Sequence, residues 1–346
     1  MHSFPFKVKT QDIRAALRVG ASVGLPLVAL YASGHIHFAV YAAFGALTSL
    51  YGHSEPTQRR VETQVVVGVA LVATLAVAAV YSVAQGPDWL LSIMLAVVVV
   101  AAGTLGTVMG WTPRGEIFFV LALLVVASIP LTANEILPAI VAGVGGVGFS
   151  ILLTMLEPNG AVDARSLVRG VPRRIQAGRA ILDRTRHAIV IIIAALAVTS
   201  AWLLARSIDI GHPFWAPIAV AALMPTFPPA DAMHRTIQLL SGTLGGVLIA
   251  AALFAQEPGP LALILIIAIC QAVAELFIDR NYGVALLFIT PLAIGMSNLG
   301  GTLPWSPLLM ERLVEAGLGA TIALVAIVFG SAVLARVAAP RVGSEA

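Results

Sequence analysis

Charged residues are scarce in this sequence. Only 11% of its 346 residues are Asp, Glu, Lys or Arg, whereas about 25% is typical of soluble domains. Hydrophobic residues make up 59% of the chain, and the mean hydropathy is +0.96. Such a composition leaves too few polar groups to cover a water-exposed surface. The sequence therefore predicts an integral membrane protein whose surroundings are the lipid bilayer.

Lysine and cysteine are almost absent. Lys7 and Lys9 are the only lysines, so no GxxxxGK loop exists and ATP hydrolysis by this chain is excluded. Cys270 is the only cysteine and lies in an apolar run, so an intrachain disulfide is impossible. HExxH, CxxC and aspartate-rich motifs are also missing. The sequence predicts no enzyme, no metal or other cofactor, and no nucleic-acid partner.

Twelve apolar segments approach the length of about 20 residues that a membrane-spanning helix needs. They run near 15–33, 36–51, 62–85, 89–110, 117–132, 136–156, 188–205, 213–228, 236–255, 260–278, 282–298 and 313–335. Some are short and contain proline or glycine, which is typical of broken helices that line a cavity. The predicted fold is an all-α membrane protein with about 12 transmembrane helices.

The arginines indicate the orientation of these segments. With a cytoplasmic N-terminus and twelve spans, only Arg206 and Arg312 among the 20 cationic residues fall outside. Cytoplasmic loops are enriched in arginine and lysine, so this bias supports the topology. We therefore expect a multi-pass protein of the bacterial cytoplasmic (inner) membrane with both termini in the cytoplasm.

The two halves of the chain share one plan. IHFAVYAAFGALTSLYGHSEPTQRR aligns with HPFWAPIAVAALMPTFPPADAMHR, which places Phe38 on Phe214 and brings Arg59 or Arg60 to the position of Arg235. WTPRGEIFFVLALL aligns with FIDRNYGVALLFIT, which places Arg114 on Arg280. Each half has an even number of spans, so both halves keep the same orientation. The sequence predicts two parallel six-helix repeats related by a pseudo-twofold axis along the membrane normal.

The predicted domains follow from this repeat. The first six-span repeat covers residues 1–156, and the second covers 188–346. A cytoplasmic basic linker, 157–187, joins them, with Pro172 at an expected helix start. Gly242, with the other glycines of SGTLGGV, is expected to allow close helix packing.

The second half resembles the FUSC family, the fusaric acid resistance and aromatic acid exporters of bacterial inner membranes. The resemblance is carried by HPFWAPIAVAALM, HRTIQLLSGTLGGVL and DRNYGVALLFITPLA, in that order. It implies export of small organic anions, typically aromatic carboxylates, driven by the proton gradient. It also implies distant similarity to the plant aluminium-activated malate transporters, which are anion channels. We expect a short form that lacks the family's large cytoplasmic domains.

Arginines at matching positions of the two halves are the candidate anion ligands. A guanidinium group is always charged and can hold a carboxylate with two hydrogen bonds. The helix starts behind Arg60 and Arg235 would add positive dipole ends. The predicted substrate-binding residues are Arg59, Arg60, Arg235, Arg114, Arg280, Asn281 and Tyr282. The alternative is that these arginines lie at the membrane interface and contact lipid headgroups.

Three acidic residues are candidates for proton coupling. Glu62, Glu275 and Asp279 lie within or beside predicted spans, where an ionisable group is costly and suggests function. The alternative is a structural pairing of Glu62 with Arg59, or of Asp279 with Arg280. Trp215, near the predicted outer face, is explained by the aromatic belt of membrane proteins.

Three functions remain open at this point. The first is a proton-driven exporter of small, aromatic carboxylates. The second is a passive anion channel in which the same arginines select anions. The third is a membrane scaffold component without transport. The expected partner is a small organic anion, and self-association into a homo-oligomer is left open.

Overall fold

The computed structural model describes residues 9–157, 162–209, 211–225, 229–299 and 304–338. The described part contains helices and no strand, so the all-α prediction is confirmed. Lys7 lies outside these ranges. The helices are α1 (Thr10–Ala32), α2 (Ala39–Ala46), α3 (Thr57–Ala84), α4 (Asp88–Met109), α5 (Ile117–Ser128), α6 (Ile136–Met155), α7 (Ala164–Ile181), α8 (Arg184–Ser207), α9 (Trp215–Leu223), α10 (Pro229–Phe254), α11 (Pro260–Phe277), α12 (Tyr282–Ser297) and α13 (Trp305–Ala338).

Many of these helices have the length and composition of membrane spans. Among the described residues, 8 helices are long and apolar enough to cross a bilayer, namely α1, α3, α4, α6, α8, α10, α11 and α13. Their outward side chains are apolar: Val69 is 67% exposed and Leu248 is 66% exposed. Such side chains fit hydrocarbon rather than water. The chain is a multi-pass membrane protein.

Three further apolar helices are shorter. They cover Ile36–Leu50, α5 and α12. The first is broken, because α2 is flanked by 3-10 turns at Ile36–Phe38 and Leu47–Leu50. In the second half, α9 has only 9 residues, or about 14 Å at 1.5 Å per residue. The short elements are therefore below the length of about 20 residues that a membrane-spanning helix needs.

Several helix boundaries differ from the predicted ones. α13 begins at Trp305, so Arg312 lies inside a helix and not in an outer loop. α10 begins at Pro229, which puts Arg235 in its second turn. The dipole effect is limited to the first turn of a helix. The prediction that the positive dipole end of a helix adds to anion binding at Arg235 is therefore wrong. Pro172 lies inside α7 and does not start it.

Glycines set the closest helix contacts. A Cβ at Gly146 in α6 would lie 2.2 Å from the carbonyl oxygen of Ala42 in α2. A Cβ at Gly242 in α10 would lie 2.4 Å from the carbonyl oxygen of Gly283 in α12. No side chain fits at such distances, so the packing role predicted for Gly242 is confirmed.

The helices of the two halves also pack on each other. α1 packs along α11, and α4 packs along α8. Within the first half, α3 contacts α5 and α6. Within the second half, α10 contacts α12 and α13. α3 and α4 also contact α7, which belongs to the predicted linker between the halves.

Candidate functional site

Arg235 and Tyr282, two of the predicted ligands, lie against each other. The Arg235 guanidinium carbon is 4.0 Å from the centre of the Tyr282 ring. Close packing of α10 on α12 at Gly242 brings the two residues together. Asn281 fixes the start of α12, because its side-chain oxygen accepts a hydrogen bond of 3.1 Å from the Val284 N–H. Thus Asn281 positions Tyr282 through the helix cap.

A second arginine lies over a second aromatic ring nearby. The Arg312 guanidinium carbon, in α13, is 4.5 Å from the centre of the Trp215 ring in α9. Arg312 is 5% exposed and Trp215 is 3% exposed. The aromatic-belt explanation of Trp215 is therefore wrong, because the indole lies inside the bundle. Arg312 was not predicted as a ligand, since its helix was expected to begin after it.

Glu315 completes this group. It is fully buried, one turn along α13 from Arg312. Its Oε2 accepts a hydrogen bond of 3.0 Å from the Ala216 N–H at the start of α9. Its other oxygen is buried without a hydrogen-bond partner in the described residues. The sequence signal was present but unused: two acids and an arginine interrupt the apolar run of α13 in the stretch MERLVEAGLG.

We call these five residues the arginine–aromatic cluster: Arg235, Tyr282, Arg312, Trp215 and Glu315. Tyr282 interacts electrostatically with both guanidinium groups, so the two arginine–ring pairs form one site. Nε of Arg235 and Nε and Nη1 of Arg312 are buried and have no hydrogen-bond partner among the described residues. Buried donors without acceptors are costly. The cluster therefore has an unmet need for anionic oxygen atoms.

Arg60 lies in a different environment, although it and Arg235 end the two aligned segments. Its Nη1 donates a hydrogen bond of 2.7 Å to Glu157. Its Nε and Nη2 donate to the carbonyl oxygens of Gly52, His53 and Glu55 at 3.1, 3.0 and 3.2 Å. Arg60 thus holds the loop before α3, and its role as an anion ligand stays a prediction.

The other predicted arginines, Arg59, Arg114 and Arg280, lie in loops or at the start of a helix. Arg114 is exposed. Arg280 forms an ion pair with Asp12 in α1 and donates to the Leu276 carbonyl oxygen. Arg59 is exposed and lines a cleft beside α7, together with the buried Glu62. None of these residues contacts the arginine–aromatic cluster through a described hydrogen bond or ion pair.

The predicted proton-coupling residues lie in two places. Glu62 is 6% exposed and lies at the α7 cleft. Glu275 and Asp279 lie at the end of α11, where Asp279 forms a 2.8 Å ion pair with His53. The hydrogen bond from His53 lowers the pKa of Asp279, and the same bond raises the pKa of His53. Asp279 is thus paired with a histidine and not with the adjacent Arg280.

Sequence reasoning missed a set of ion pairs near the ends of the helices. Glu157 binds both Arg18 and Arg60, and Glu55 binds Arg174 of α7 at 2.6 Å. These partners lie far apart in the chain, so no local pattern predicts them. The ion pairs account for two of the four charged residues of EPTQRRVETQ, because Glu55 holds α7 and Arg60 holds the loop before α3.

Comparison with known proteins gives a family for the second half of the chain. Residues 196–326 match the family described as fusaric acid resistance protein-like. The chain is also 30% identical over 123 residues to the "Uncharacterized membrane protein YvaC" of Bacillus subtilis (strain 168). That match covers 35% of this chain and 20% of the relative, so the chain spans a small part of the relative's length. No solved structure matches the chain.

Proposed function

We propose, from the premise that this chain is a membrane protein of the fusaric acid resistance protein-like family, that it exports small organic anions, in particular aromatic carboxylates. The arginine–aromatic cluster lies within the family match at residues 196–326. We further propose that the proton gradient drives the export.

The observation that carries this proposal is the pairing of two guanidinium groups, one partly buried and one buried, with aromatic rings. Arg235 and Arg312 have unpartnered N–H groups, which suit a carboxylate. Tyr282 and Trp215 lie 4.0 and 4.5 Å from the guanidinium carbons, which suits an aromatic ring beside the carboxylate. A substrate that carries both groups could satisfy the donors and pack on the rings at once.

The helix packing supports the proposed architecture of two parallel repeats, 1–156 and 188–346, joined by the linker 157–187. α1 and α6 both pack on α2, and α8 and α13 both pack on α9. Across the halves, the α1–α11 contact has its counterpart in the α8–α4 contact. This reciprocity fits a pseudo-twofold axis and twelve spans. We place both termini in the bacterial cytoplasm, in the inner membrane.

Proton coupling requires an acid that can change its charge near the anion. Glu62, Glu275 and Asp279 remain proposed for this role. Glu315 joins them, because it is fully buried and follows Arg312 by one helical turn. Protonation of Glu315 would change the charge next to Arg312, so it would alter the affinity of the cluster for an anion.

Flux in proteoliposomes tests the proposal. We expect saturable transport of benzoate that requires a pH gradient, and no transport of neutral benzamide. Arg235→Gln and Arg312→Gln should each lower benzoate flux at least tenfold. Arg206→Gln is the matched control, because Arg206 lies on the surface with a side chain 52% exposed and should keep full flux.

Two outcomes would replace the proposal. Unitary anion currents without dependence on a pH gradient would identify a passive channel. The absence of flux and current for a broad panel of aromatic and aliphatic anions would favour a scaffold role. Unchanged benzoate flux in Arg235→Gln and Arg312→Gln, with both proteins folded, would remove the cluster as the anion site.

A further inference from the structure

The linker helix α7 borders a cleft that lies apart from the arginine–aromatic cluster. The cleft has a volume of about 620 Å³ and lies between α7 and the start of α3. Its lining includes four arginines and two acids: Arg59, Arg169, Arg173, Arg174, Glu62 and Asp163. We propose that this α7 cleft binds a phosphate group, and that the headgroup of an anionic phospholipid supplies it.

The cleft has a fixed shape because Arg174 ties α7 to the bundle. Its Nη2 donates hydrogen bonds of 2.6 Å to Glu55 and 2.8 Å to the Met109 carbonyl oxygen. Its Nη1 donates a hydrogen bond of 2.9 Å to Thr63. Furthermore, a Cβ at Gly178 would lie 1.9 Å from the Val108 carbonyl oxygen, so α7 lies directly on the end of α4.

Unlike Arg174, the other arginines of the cleft do not tie α7 to the bundle. In the described part of the chain, the side chains of Arg59, Arg169 and Arg173 have no hydrogen-bond or ion-pair acceptor. Arg169 and Arg173 lie one helical turn apart, so they are neighbours on one face of α7. Two guanidinium groups on one face, with Arg59 opposite them on α3, can share the oxygen atoms of one phosphate.

Glu62 shapes the inner end of the cleft. It is 6% exposed, and its Oε1 would lie 2.3 Å from a Cβ at Gly170. This close approach of the α7 backbone keeps the carboxylate inside, while Arg169 and Arg173 are on the exposed side.

The position of α7 favours a lipid as the source of the phosphate. Ile181, at the end of α7, is an apolar side chain that is 88% exposed. The membrane-spanning helix α8 begins 3 residues later, at Arg184. An exposed isoleucine beside arginines at the start of a span is typical of the membrane interface, where anionic headgroups lie.

Binding to the purified, delipidated full-length protein tests this inference with three probes. Dioctanoyl phosphatidic acid carries acyl chains and a phosphate, glycerol 3-phosphate carries the phosphate alone, and dioctanoylglycerol carries the acyl chains alone. We expect wild type to bind the phosphatidic acid, and the double variant R169Q/R173Q to bind it at least tenfold more weakly. Raising the salt concentration should weaken the wild-type binding.

The matched control is R179Q, because Arg179 is an exposed arginine of α7 that does not line the cleft. It should bind like wild type. Arg59→Gln, on α3, repeats the test without any change in α7, in case the double variant is unstable. Binding of phosphatidic acid alone supports the lipid source, and equal binding of glycerol 3-phosphate replaces it with a soluble phosphate compound.

Three results would overturn the inference. The first is that both R169Q/R173Q and Arg59→Gln bind dioctanoyl phosphatidic acid with wild-type affinity. The second is that wild type binds dioctanoylglycerol as tightly as dioctanoyl phosphatidic acid. The third is that wild type binds neither phosphate probe. The test measures binding and leaves Arg235 and Arg312 unchanged. Its failure is therefore separate from a failure of the transport proposal.

Discussion

Arg60 in α3 and Arg235 in α10 end the two aligned segments, yet their surroundings differ. Arg60 donates four hydrogen bonds, one to Glu157 and three to backbone carbonyl oxygens. Arg235 lies over Tyr282, and its Nε is buried without an acceptor among the described residues. Thus Arg60 anchors a loop in the first half, whereas Arg235 in the second half has a hydrogen-bond donor without an acceptor.

A second pair of aligned positions, before α5 in the first half and at the start of α12 in the second, also differs in its contacts. Glu116 in the first half aligns with Tyr282 in the second. Glu116 is 4% exposed, and its Oε1 has no hydrogen-bond partner in the described residues. Tyr282 instead contacts the Arg235 guanidinium. The two aligned positions therefore hold a buried acid in one half and an aromatic ring beside a guanidinium in the other.

Exchange of the two matched arginines for glutamine should separate these roles. Arg60→Gln removes the ion pair with the partly buried Glu157 and leaves three carbonyl oxygens with poorer donors. Glu157 keeps its second partner, Arg18, so the loss is that of hydrogen bonds to charged groups, about 1.5–3 kcal/mol. We expect Arg60→Gln to lower the free energy of unfolding in mixed micelles by about 3 kcal/mol. Arg235→Gln, the matched comparison, should change it by less than about 1 kcal/mol. Equal losses in the two variants would contradict the assigned difference.

Glu116→Gln tests the buried acid of the first half. Burial raises the pKa of Glu116 to about 7. An acid with a raised pKa binds its proton more tightly in the folded state, so wild-type stability falls as pH rises from about 4.5 to about 7. The glutamine variant lacks this loss. At pH 8 we expect it to be more stable than wild type, by up to roughly 3 kcal/mol.

Denaturation at pH 5 and pH 8 measures this effect. Glu257→Gln, which changes an exposed acid, is the control and should keep the wild-type pH dependence. A Glu116→Gln variant that loses as much stability between the two pH values as wild type would show that Glu116 does not carry the effect.

The helices were predictable from sequence because long apolar runs leave few alternatives in a membrane. Their starts were not, because α3, α10 and α13 begin with polar turns that resemble loops: TQRR, PADAMHR and WSPLLMER. Arg312 was lost as a candidate for this reason. A charged residue can continue a helix where tertiary contacts, here with Trp215, support it.

The candidate site was predictable in part. Arg235 was singled out from its alignment with the first half, and Tyr282 because it lies beside Arg280. The structure places Arg235 and Tyr282 in contact. The partners of Arg60 could not be found in this way, because Glu157 is 97 residues away in sequence. Such distant partners decide whether Arg60 or Arg235 keeps free hydrogen-bond donors. The sequence alone therefore predicted both arginines as anion ligands.

Tyr282→Leu tests whether the ring in the second half selects aromatic substrates. Leucine keeps an apolar side chain of similar reach but removes the face on which a substrate ring can stack, a contact worth about 0.5–1.5 kcal/mol. We expect the ratio of benzoate to acetate flux to fall roughly tenfold, since 1.4 kcal/mol corresponds to a factor of ten. Tyr31→Leu is the control, because Tyr31 is 41% exposed at the end of α1. An unchanged ratio in Tyr282→Leu would argue against ring stacking.

His53 and Asp279 provide the smallest expected effect, at a contact between the two halves. His53 precedes α3, and Asp279 follows α11. Their hydrogen bond raises the pKa of His53, while Glu275 acts in the same direction and Arg60 against it. A raised histidine pKa contributes stability that is complete below about pH 6.5 and is lost as pH rises through the raised value. For Asp279, whose pKa is lowered, the contribution is present above about pH 4 and is lost in stronger acid.

The pair should therefore stabilise the protein most between about pH 4 and pH 6.5. In a Glu116→Gln background, which removes the larger pH effect, His53→Gln should flatten the fall in melting temperature between pH 6 and pH 8.5. Asp279→Asn should flatten it equally, since either change removes the same pair. The Asp279 side chain is 66% exposed, so the effect should be small and should shrink at high salt. If the two variants differ from each other, the histidine responds to another group, and the contact between the halves is not the pH-sensitive element.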